Sequence, residues 1–431
     1  MLETLKNAWK VADLRKKILF TLFIILIFRI GSVIPVPFID VAALQSSMSG
    51  TENQLFSYLS ILTGGGLEYG AIFAMSVTPY INASIIMQLL AVAIPYLERL
   101  SKEGEEGQKK IAQYTRYATV ILGLIQGTAY FFYLKGSRFL TVSGKGAMWF
   151  AAFVIILCFT AGSALVMWLG EQIDVKGIGN GISMLLFAGI ISRAPQAAAG
   201  LWAWLEMPGA RGKIVAIVTV LLFLIIVAFI VWMTNAERRI PVMYAKRVVG
   251  NKMYGGQNSH IPIKVNMSGV MPIIFASSIL MIPTMILSFM TDKTTSFAKI
   301  LNLFSVQGAF YAIIYFVMII GFAYFYTTIQ FNPIEMANNL RRNGGSVPGI
   351  RPGKPTSDFI QKILSRITLL GALFLSVIAI LPIFLAMIGE GEFASISIGG
   401  TSVLILVGVA LDTVQNLESQ MMMRHYKGFL D

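Results

Sequence analysis

The sequence lacks the residues on which most enzyme sites depend. Its only cysteine is Cys158, so an intrachain disulfide and a Cys-x-x-Cys metal site are both excluded. The two histidines, His260 and His425, have no companions at the spacing of a zinc motif. No Gly-Lys-Ser or Gly-Lys-Thr occurs, which excludes a P-loop. We therefore expect a protein that is not an enzyme and that has no catalytic residue, no metal and no cofactor.

Charged residues are also scarce. Asp, Glu, Lys and Arg make up 13% of the 431 residues, against about 25% in soluble domains, while 56% are hydrophobic. Ten apolar runs approach or exceed the roughly 20 residues that a membrane-spanning helix needs. These runs, numbered as spans 1 to 10, are 18–34, 69–97, 117–134, 146–170, 177–198, 214–236, 265–291, 300–334, 367–389 and 393–411. Asp and Glu are missing from the middle of the spans, where ion-coupled transporters usually need them.

Basic residues are concentrated in a few segments. Lys and Arg number 34 against 21 Asp and Glu, which gives a net charge of +13. Most Lys and Arg fall in segments that share one side of the membrane if the N-terminus is cytoplasmic, and the positive-inside rule then places both termini in the cytoplasm. No small-residue cleavage site follows span 1, so we interpret it as a retained span. The basic face reflects topology alone, or it also docks an acidic partner such as anionic lipid, RNA or a protein surface.

One ten-residue pattern occurs twice. Residues 77–86 in span 2 and 270–279 in span 7 both read V-x-P-x-I-x-A-S-x-I. An offset of five spans reverses the orientation of the second copy, which is typical of an inverted repeat. The sequence therefore predicts an all-α membrane protein with ten transmembrane helices in two inverted five-helix halves, residues 18–205 and 206–416. The predicted cytoplasmic segments are 1–17, 234–267, 331–362 and 417–431.

A run of three glycines follows a short apolar segment before span 2. Segment 55–66 is too short to cross the membrane, and it ends in Gly64, Gly65 and Gly66. Irregular backbone at membrane depth is tolerated where protein covers it or where it lines a wet cavity. We interpret the segment as a re-entrant half-helix with these glycines as its hinge. An ordinary external loop is the alternative.

The residues beside the two prolines of the repeat are apolar. Val77 and Ile81 flank Pro79, and Ile274 follows Pro272. A solute transporter would need polar side chains at this place. Apolar residues around a narrow opening hold back ions by dewetting, so the pattern favours a channel gate. The alternatives for an isoleucine in a membrane helix are contact with lipid and packing in the core.

Eight motifs resemble those of the SecY family of bacterial protein-translocation channels, in the same order and over essentially the whole length. They are FRIGSVIPVP (28–37), TPYINASIIMQLL (78–90), KKIAQYTRY (109–117), WLGEQIDVKGIGNGIS (168–183), MYAKR (243–247), IPIKVNMSGVMPIIFASS (261–278), FNPIEMANNL (331–340) and VPGIRPGKPT (347–356). The resemblance implies an hourglass pore, a short plug helix that seals its outer funnel, and a lateral gate toward lipid between spans 2–3 and 7–8.

The resemblance also assigns roles to residues of this sequence. The implied pore ring consists of Val77, Ile81, Ile182, Leu186, Ile274 and Ile405. Val77 and Leu186 stand where isoleucine is common in the family. The plug corresponds to 55–70, and the polar cluster of the lateral gate to Gln88, Thr119 and Asn266. Arg351 matches an arginine that is important for docking the motor SecA or the ribosome, and Lys246 and Arg247 lie in the other docking loop.

These assignments imply a channel for unfolded secretory polypeptides in the cytoplasmic membrane. Signal sequences and transmembrane segments would leave it sideways into lipid. The expected partners are SecE, SecG, the ATPase SecA, the ribosome, signal peptides and membrane lipid, with no small-molecule substrate. The alternative is a secondary solute transporter, which shares inverted repeats and broken helices but should have a polar site and coupling carboxylates at mid-membrane.

Overall fold

The computed structural model describes residues 6, 8–48, 63–142, 144–206, 210–244, 247–249, 252–254, 258–289, 301, 303–304, 308–388 and 400–427. The helices, numbered in chain order, are α1 (Ala12–Gly31), α2 (Val41–Met48), α3 (Thr78–Ala93), α4 (Pro95–Lys102), α5 (Glu105–Gly136), α6 (Lys145–Lys176), α7 (Gly181–Ile191), α8 (Ala194–Glu206), α9 (Ala210–Asn235), α10 (Met271–Phe289), α11 (Ala309–Gln330), α12 (Pro333–Arg342), α13 (Lys354–Ile388) and α14 (Gly400–Lys427). The strands are β1 (Glu237–Tyr244), β2 (Arg247–Val249), β3 (Lys252–Tyr254), β4 (Asn258–Lys264) and β5 (Gly345–Ser346).

Each of the ten predicted spans contains a helix. In the described part of the chain, seven helical segments are long and apolar enough to cross a membrane, and the pair α3–α4, bent by 101°, makes an eighth. The other two predicted spans correspond to α1 and α10. Helix α1 carries charged residues at both ends, among them Asp13 and Arg29. Within α10, the stretch Met271–Leu280 is apolar but shorter than the other spans.

Prolines and asparagines set several helix starts. Pro79 and Pro95 lie in the first turn of α3 and α4, where the missing N–H has no helical partner to lose. Ile94, the residue before Pro95, is extended at φ −104° and ψ 114°, which produces the bend between the two helices. Asn180 begins α7 by accepting a hydrogen bond from the backbone N–H of Ser183. In span 7, Pro272 is the second residue of α10, so the prolines of both copies of the repeat lie at helix starts.

The chain divides into two compact units. Unit 1 consists of Met1–Val220, Met281–Val306 and Ile405–Asp431. Its largest cluster of buried side chains includes Leu67, Tyr130 and Phe159. Gly123 and Gly127 of α5 lie against α6, since a Cβ on either would be 3.6 Å from the nearest α6 atom. Small residues at such a contact let two membrane helices approach closely.

A second cluster of unit 1 joins the two ends of the chain. Ala8, Leu14, Ile178 and Leu417 are buried together, and Lys17 donates a hydrogen bond to Gln420 at 3.1 Å. The N-terminal segment, the turn between α6 and α7 and the last turns of α14 therefore lie on one side of unit 1.

Unit 2 consists of Leu221–Leu280 and Gln307–Leu404. It contains a three-stranded antiparallel sheet in the order β4-β1-β5, in which Ile240 pairs with Ile261. Ile240 and Val242 alternate with exposed residues, so one face of β1 is buried. That face belongs to a cluster with Leu340 of α12 and Ile360 of α13. The prediction of an all-α protein did not include this sheet. Its strands β1 and β4 lie in the predicted cytoplasmic loop 234–267, and β5 lies in the predicted loop 331–362.

Candidate functional site

Two of the predicted pore residues lie at the start of α3. Val77 immediately precedes the helix and is buried, and Ile81 lies one turn later and is half-buried. The backbone N–H of Ile81 donates to the carbonyl of Val77 at 3.0 Å. The irregular turns of residues 63–77 lead directly into this point. The helix start therefore presents two apolar side chains one turn apart.

Two more predicted pore residues lie on α7. Ile182 and Leu186 are one turn apart, so they share a face of the helix. Leu186 is buried, and Ile182 is half-buried. Ile182 packs on α6 at Gly170, where an added Cβ would be 2.6 Å from the Ile182 Cδ1.

A polar cleft lies between the start of α7 and the middle of α14. Its volume is about 300 Å³. It is lined by Asn180, Ser183, Val409, Asp412, Thr413, Gln415, Asn416 and Ser419. Ile405 lies one turn before Val409, and Leu186 lies one turn after Ser183, so both apolar residues continue the wall beyond the polar lining. The cleft is on the side of unit 1 that carries both ends of the chain.

The sixth predicted pore residue belongs to unit 2. Ile274 is half-buried in the first turn of α10, and its carbonyl accepts a hydrogen bond from the Ser277 hydroxyl at 3.0 Å. The other five predicted pore residues belong to unit 1. They lie at the start of α3, on α7 and on α14, and are Val77, Ile81, Ile182, Leu186 and Ile405. That all six residues surround one axis stays a prediction.

The predicted plug is described only in its last part. Residues 55–62 lie outside the described residues, whereas residues 63–70, which we call the glycine segment, form a series of turns. Gly64 and Gly65 have φ of +65° and +89°, values that favour glycine. A Cβ on Gly64 would lie 2.9 Å from the Cα of Gly189 on α7. The glycines are therefore required by backbone conformation and close packing, in addition to any role as a hinge.

Three charged side chains anchor the glycine segment. The Arg29 Nη1 donates a hydrogen bond to the Gly64 carbonyl at 2.6 Å. The Ser192 hydroxyl lies 3.4 Å from the same oxygen. The Arg193 guanidinium forms an ion pair with Glu68. The sequence did not predict this arrangement: Arg29 and Arg193 lie near the ends of spans 1 and 5, and no pattern links them to the glycine segment. The signal available in the sequence was an ionisable residue inside or beside an apolar run.

The rest of the glycine segment and the turns after it are packed into unit 1. Within the segment, the Tyr130 hydroxyl donates to the Leu67 carbonyl at 3.0 Å, and the backbone N–H of Val36 donates to the Gly70 carbonyl at 2.9 Å. After the segment, the Phe73 ring stacks on Phe28 with ring centroids 6.1 Å apart. The last part of the predicted plug and the residues between it and α3 are thus held by α1, α5 and the residues that follow α1.

The three predicted lateral-gate residues belong to both units. Gln88 on α3 lies 3.5 Å from the Ser84 hydroxyl, and the buried Thr119 on α5 donates to the Thr115 carbonyl at 2.7 Å. Each of these two side chains bonds within its own helix. Asn266 is in unit 2 and precedes α10. Among the described residues, the buried Asn266 Oδ1 has no hydrogen-bond donor. A polar cluster formed by all three stays a prediction.

Arg351 lies in a hydrogen-bonded turn of unit 2. Its side chain is exposed, and its carbonyl accepts a hydrogen bond from the Thr356 hydroxyl at 2.8 Å. Gly349 and Gly353 on either side have φ of +80° and +107°. Buried Val347 joins the turn to the cluster beneath the sheet. The backbone of the turn is therefore held from within unit 2, while the Arg351 side chain faces solvent. Of the other predicted docking residues, Lys246 lies outside the described residues and Arg247 begins β2.

Within the described part of the chain, no group of three or more His, Cys, Asp or Glu side chains is arranged to hold a metal ion. The features of the candidate site are differences in polarity and packing. Apolar residues follow a polar cleft, irregular backbone is locked beside them, and a basic turn projects from a small sheet.

Known proteins are similar to this chain in sequence and in fold. A family model described as SecY matches residues 71–414. The protein translocase subunit SecY of Streptomyces coelicolor is 44% identical over 443 residues, and that of Mycobacterium tuberculosis is 42% identical over 448 residues. In both cases the match covers 100% of this chain and 100% of the relative.

Two solved structures share the fold at low sequence identity. A structure described as a protein conducting channel has a TM-score of 0.68 at 17% identity, and the match covers 94% of this chain and 92% of that chain. Sec61 in the canine ribosome-channel complex has a TM-score of 0.63 at 16% identity, with the same coverage. These matches confirm the predicted fold class. Because the family model covers most of the chain and the curated relatives match it from end to end, the chain belongs to the SecY family.

Proposed function

We propose that this chain forms a protein-conducting channel, which passes unfolded secretory polypeptides across the membrane and releases signal sequences and transmembrane segments sideways into lipid. The observation that carries this proposal is the end-to-end similarity to protein translocase subunits. The fold shared with a protein conducting channel supports it. The same similarities count against the secondary solute transporter, and the proposal assigns no enzymatic activity to the chain.

Such a channel must give an extended polypeptide a path through the membrane in which water and polar side chains surround it in place of lipid. Each backbone amide without a partner in hydrocarbon costs several kcal/mol. A wet path removes that cost, but the idle path must not leak ions. The polar cleft between α7 and α14 is suited to the wet part of the path, because its lining supplies hydrogen-bonding side chains such as Asn180 and Asn416.

A ring of apolar side chains is proposed to close the path by dewetting. Val77, Ile81, Ile182, Leu186 and Ile405 supply it from unit 1, and Ile274 supplies it from unit 2. Two features support the assignment. Ile405 and Leu186 lie one helical turn beyond the polar cleft, and Val77 and Ile81 lie where irregular backbone gives way to α3.

The plug and lateral gate complete the proposed mechanism. The plug of residues 55–70 would seal the outer funnel, with its last part docked on α7. A signal sequence offers about 7–15 apolar residues, which prefer lipid to water. Its entry between spans 2 and 7 would separate Gln88 and Thr119 from Asn266 and open the slot toward the bilayer.

The energy for transport is proposed to come from a docked partner. SecA hydrolysing ATP, or a translating ribosome, would bind the cytoplasmic loops 234–267 and 331–362. The exposed Arg351 on a hydrogen-bonded turn and the excess of basic residues in these loops support this assignment. Charged groups on such a surface steer an acidic partner and raise its association rate.

We further propose that the chain lies in the cytoplasmic membrane with both termini in the cytoplasm and with SecE and SecG as companion subunits. The shared cluster of Leu14, Ile178 and Leu417 supports the placement of both termini on one side. The long apolar helices identify a multi-pass membrane protein, and the distribution of Lys and Arg supports its orientation.

A reconstitution experiment tests the proposed function. Vesicles containing this chain and its co-purified subunits, supplied with SecA and ATP, should protect a signal-bearing precursor from added protease. The same precursor without its signal should stay accessible. Protection that does not depend on the chain, or saturable uptake of a small solute without precursor protection, would refute the channel.

A further inference from the structure

Three ionisable side chains meet at the glycine segment. Arg29 comes from α1, Arg193 from the turn between α7 and α8, and Glu68 from the segment itself. They are brought together although the two bonded pairs are separated by 35 and 125 residues in sequence. A chance encounter of surface charges does not account for the contacts, because the Arg193 and Glu68 side chains are only 19% and 25% exposed.

Both arginines lie within predicted spans, Arg29 in span 1 and Arg193 in span 5. Charged side chains are costly in such apolar segments, and those that occur there usually have a partner and a function. The contacts of Arg29 and Arg193 with the glycine segment supply these partners.

These side chains hold the glycine segment in one conformation. The Gly64 carbonyl accepts the Arg29 hydrogen bond and lies within reach of the Ser192 hydroxyl. Four residues further along, Glu68 is held by Arg193. Two separate points of a turn with left-handed φ are therefore fixed to α1 and to the end of α7. A Cβ on Gly64 would lie 2.9 Å from the Cα of Gly189, so the segment also packs closely on α7.

We propose that Arg29 and Arg193 are positioning residues that lock the glycine segment in the resting channel, and that the lock weakens when water enters the pore. This inference rests on the proposed channel function. The attraction between Arg193 and Glu68 is strong in a dry site and falls about fourfold between an effective dielectric constant of 20 and that of water. Hydration of the path by an arriving polypeptide therefore releases the segment, and drying of the path restores it.

Substitution of the pair tests the lock without requiring transport. Glu68→Gln and Arg193→Gln are expected to raise the resting ion conductance of the channel in planar bilayers at least about tenfold, because one charge of a largely buried pair loses its partner. Arg193→Lys keeps the charge and should remain within about threefold of the parent. Exchange of the two charges, Glu68→Arg with Arg193→Glu, should recover most of the seal.

The chain offers a matched control for these variants. Arg116 and Glu171 form an ion pair of 2.7 Å between α5 and α6, also within unit 1, with the Arg116 side chain 51% exposed. Arg116→Gln therefore removes an interhelical ion pair that does not contact the glycine segment, and it should leave the resting conductance unchanged. Hydrogen exchange of residues 63–70 gives an independent readout: it should quicken in Glu68→Gln and stay unchanged in Arg116→Gln.

The outcomes separate this inference from the proposed function. If the parent channel opens on addition of a signal peptide but Glu68→Gln and Arg193→Gln stay as tight and as protected from exchange as the parent, the lock is wrong and the channel stands. Failure of the charge exchange and of Arg193→Lys to preserve the seal would also overturn the lock. If the parent itself neither opens nor protects a precursor, the channel proposal has failed.

Discussion

Replacement of Arg351 by glutamate is expected to lower the rate of SecA-driven export at least about tenfold, since reversal of a charge at the rim of a docking surface slows association and repels an acidic partner. The side chain is exposed and its turn is fixed by the Thr356 hydroxyl, so the substitution changes the charge without removing a buried contact. Membrane insertion and the amount of channel should match the parent. The measurement is the initial rate of precursor protection in reconstituted vesicles.

Two further variants show whether the place and the orientation of this charge matter. Lys135 is exposed at the end of α5, on the opposite proposed face, and Lys135→Glu should leave the export rate unchanged. Thr356→Val removes the hydrogen bond that holds the turn and should reduce export by no more than about fivefold, which corresponds to one hydrogen bond. Equal rates for Arg351→Glu and the parent at low salt, where surface charges act most strongly, would refute the docking role.

A polar side chain in the apolar ring is expected to make the idle channel leak. Ile81→Asn and Ile182→Asn place an amide where the account requires a dewetted constriction, so water and ions should enter more readily. We expect resting conductance to rise at least about tenfold in each variant. Both native side chains are half-buried, so the substitutions avoid the most tightly packed positions. The measurement is single-channel recording in planar bilayers without signal peptide.

Leakage must be distinguished from general damage. Ile81→Leu keeps the apolar character and should keep the seal. Leu22 on α1 is 53% exposed, and Leu22→Asn adds the same amide on the outer surface of unit 1, where conductance should not change. The ring assignment fails if Ile81→Asn and Ile182→Asn are as tight as the parent, or if Leu22→Asn leaks as much as they do.

Hydropathy was sufficient to predict a helix in each of the ten spans. Each run of about 20 uncharged residues needs internal hydrogen bonding in a membrane, and a helix is the structure that supplies it within one segment. The repeat did not predict where its prolines lie within their helices. Pro79 lies in the first turn of α3, because a residue without an N–H costs nothing where no helical acceptor exists. The sheet was missed because β1 and β4 each contain a proline, Pro241 and Pro262, and a proline within a run argues against a strand.

The contacts that fix the glycine segment could not be predicted from the same patterns. Three glycines indicate irregular backbone, and that much was correct, since two of them adopt left-handed φ. The partners are distant in sequence: Arg29 lies 35 residues from Gly64, and Arg193 lies 125 residues from Glu68. A single sequence carries periodicity and composition but does not say which charges meet across spans. For the same reason, Ile182, Leu186 and Ile405 of the pore ring were implied only by the resemblance to the family, whereas Val77, Ile81 and Ile274 also followed from the repeat.

The central claim is that a translocating polypeptide passes between the six apolar side chains of the ring. Its most direct test is disulfide cross-linking in a Cys158→Ala background, with one cysteine in the channel and one in a precursor stalled halfway. Cysteine substitutions of Ile81, Ile182 and Ile274 should each form a disulfide with the precursor, whereas substitutions of Leu22 and Phe153, which are 53% and 65% exposed on the outside of their helices, should not. Cross-links from Leu22 or Phe153 in place of all three ring positions would contradict the account.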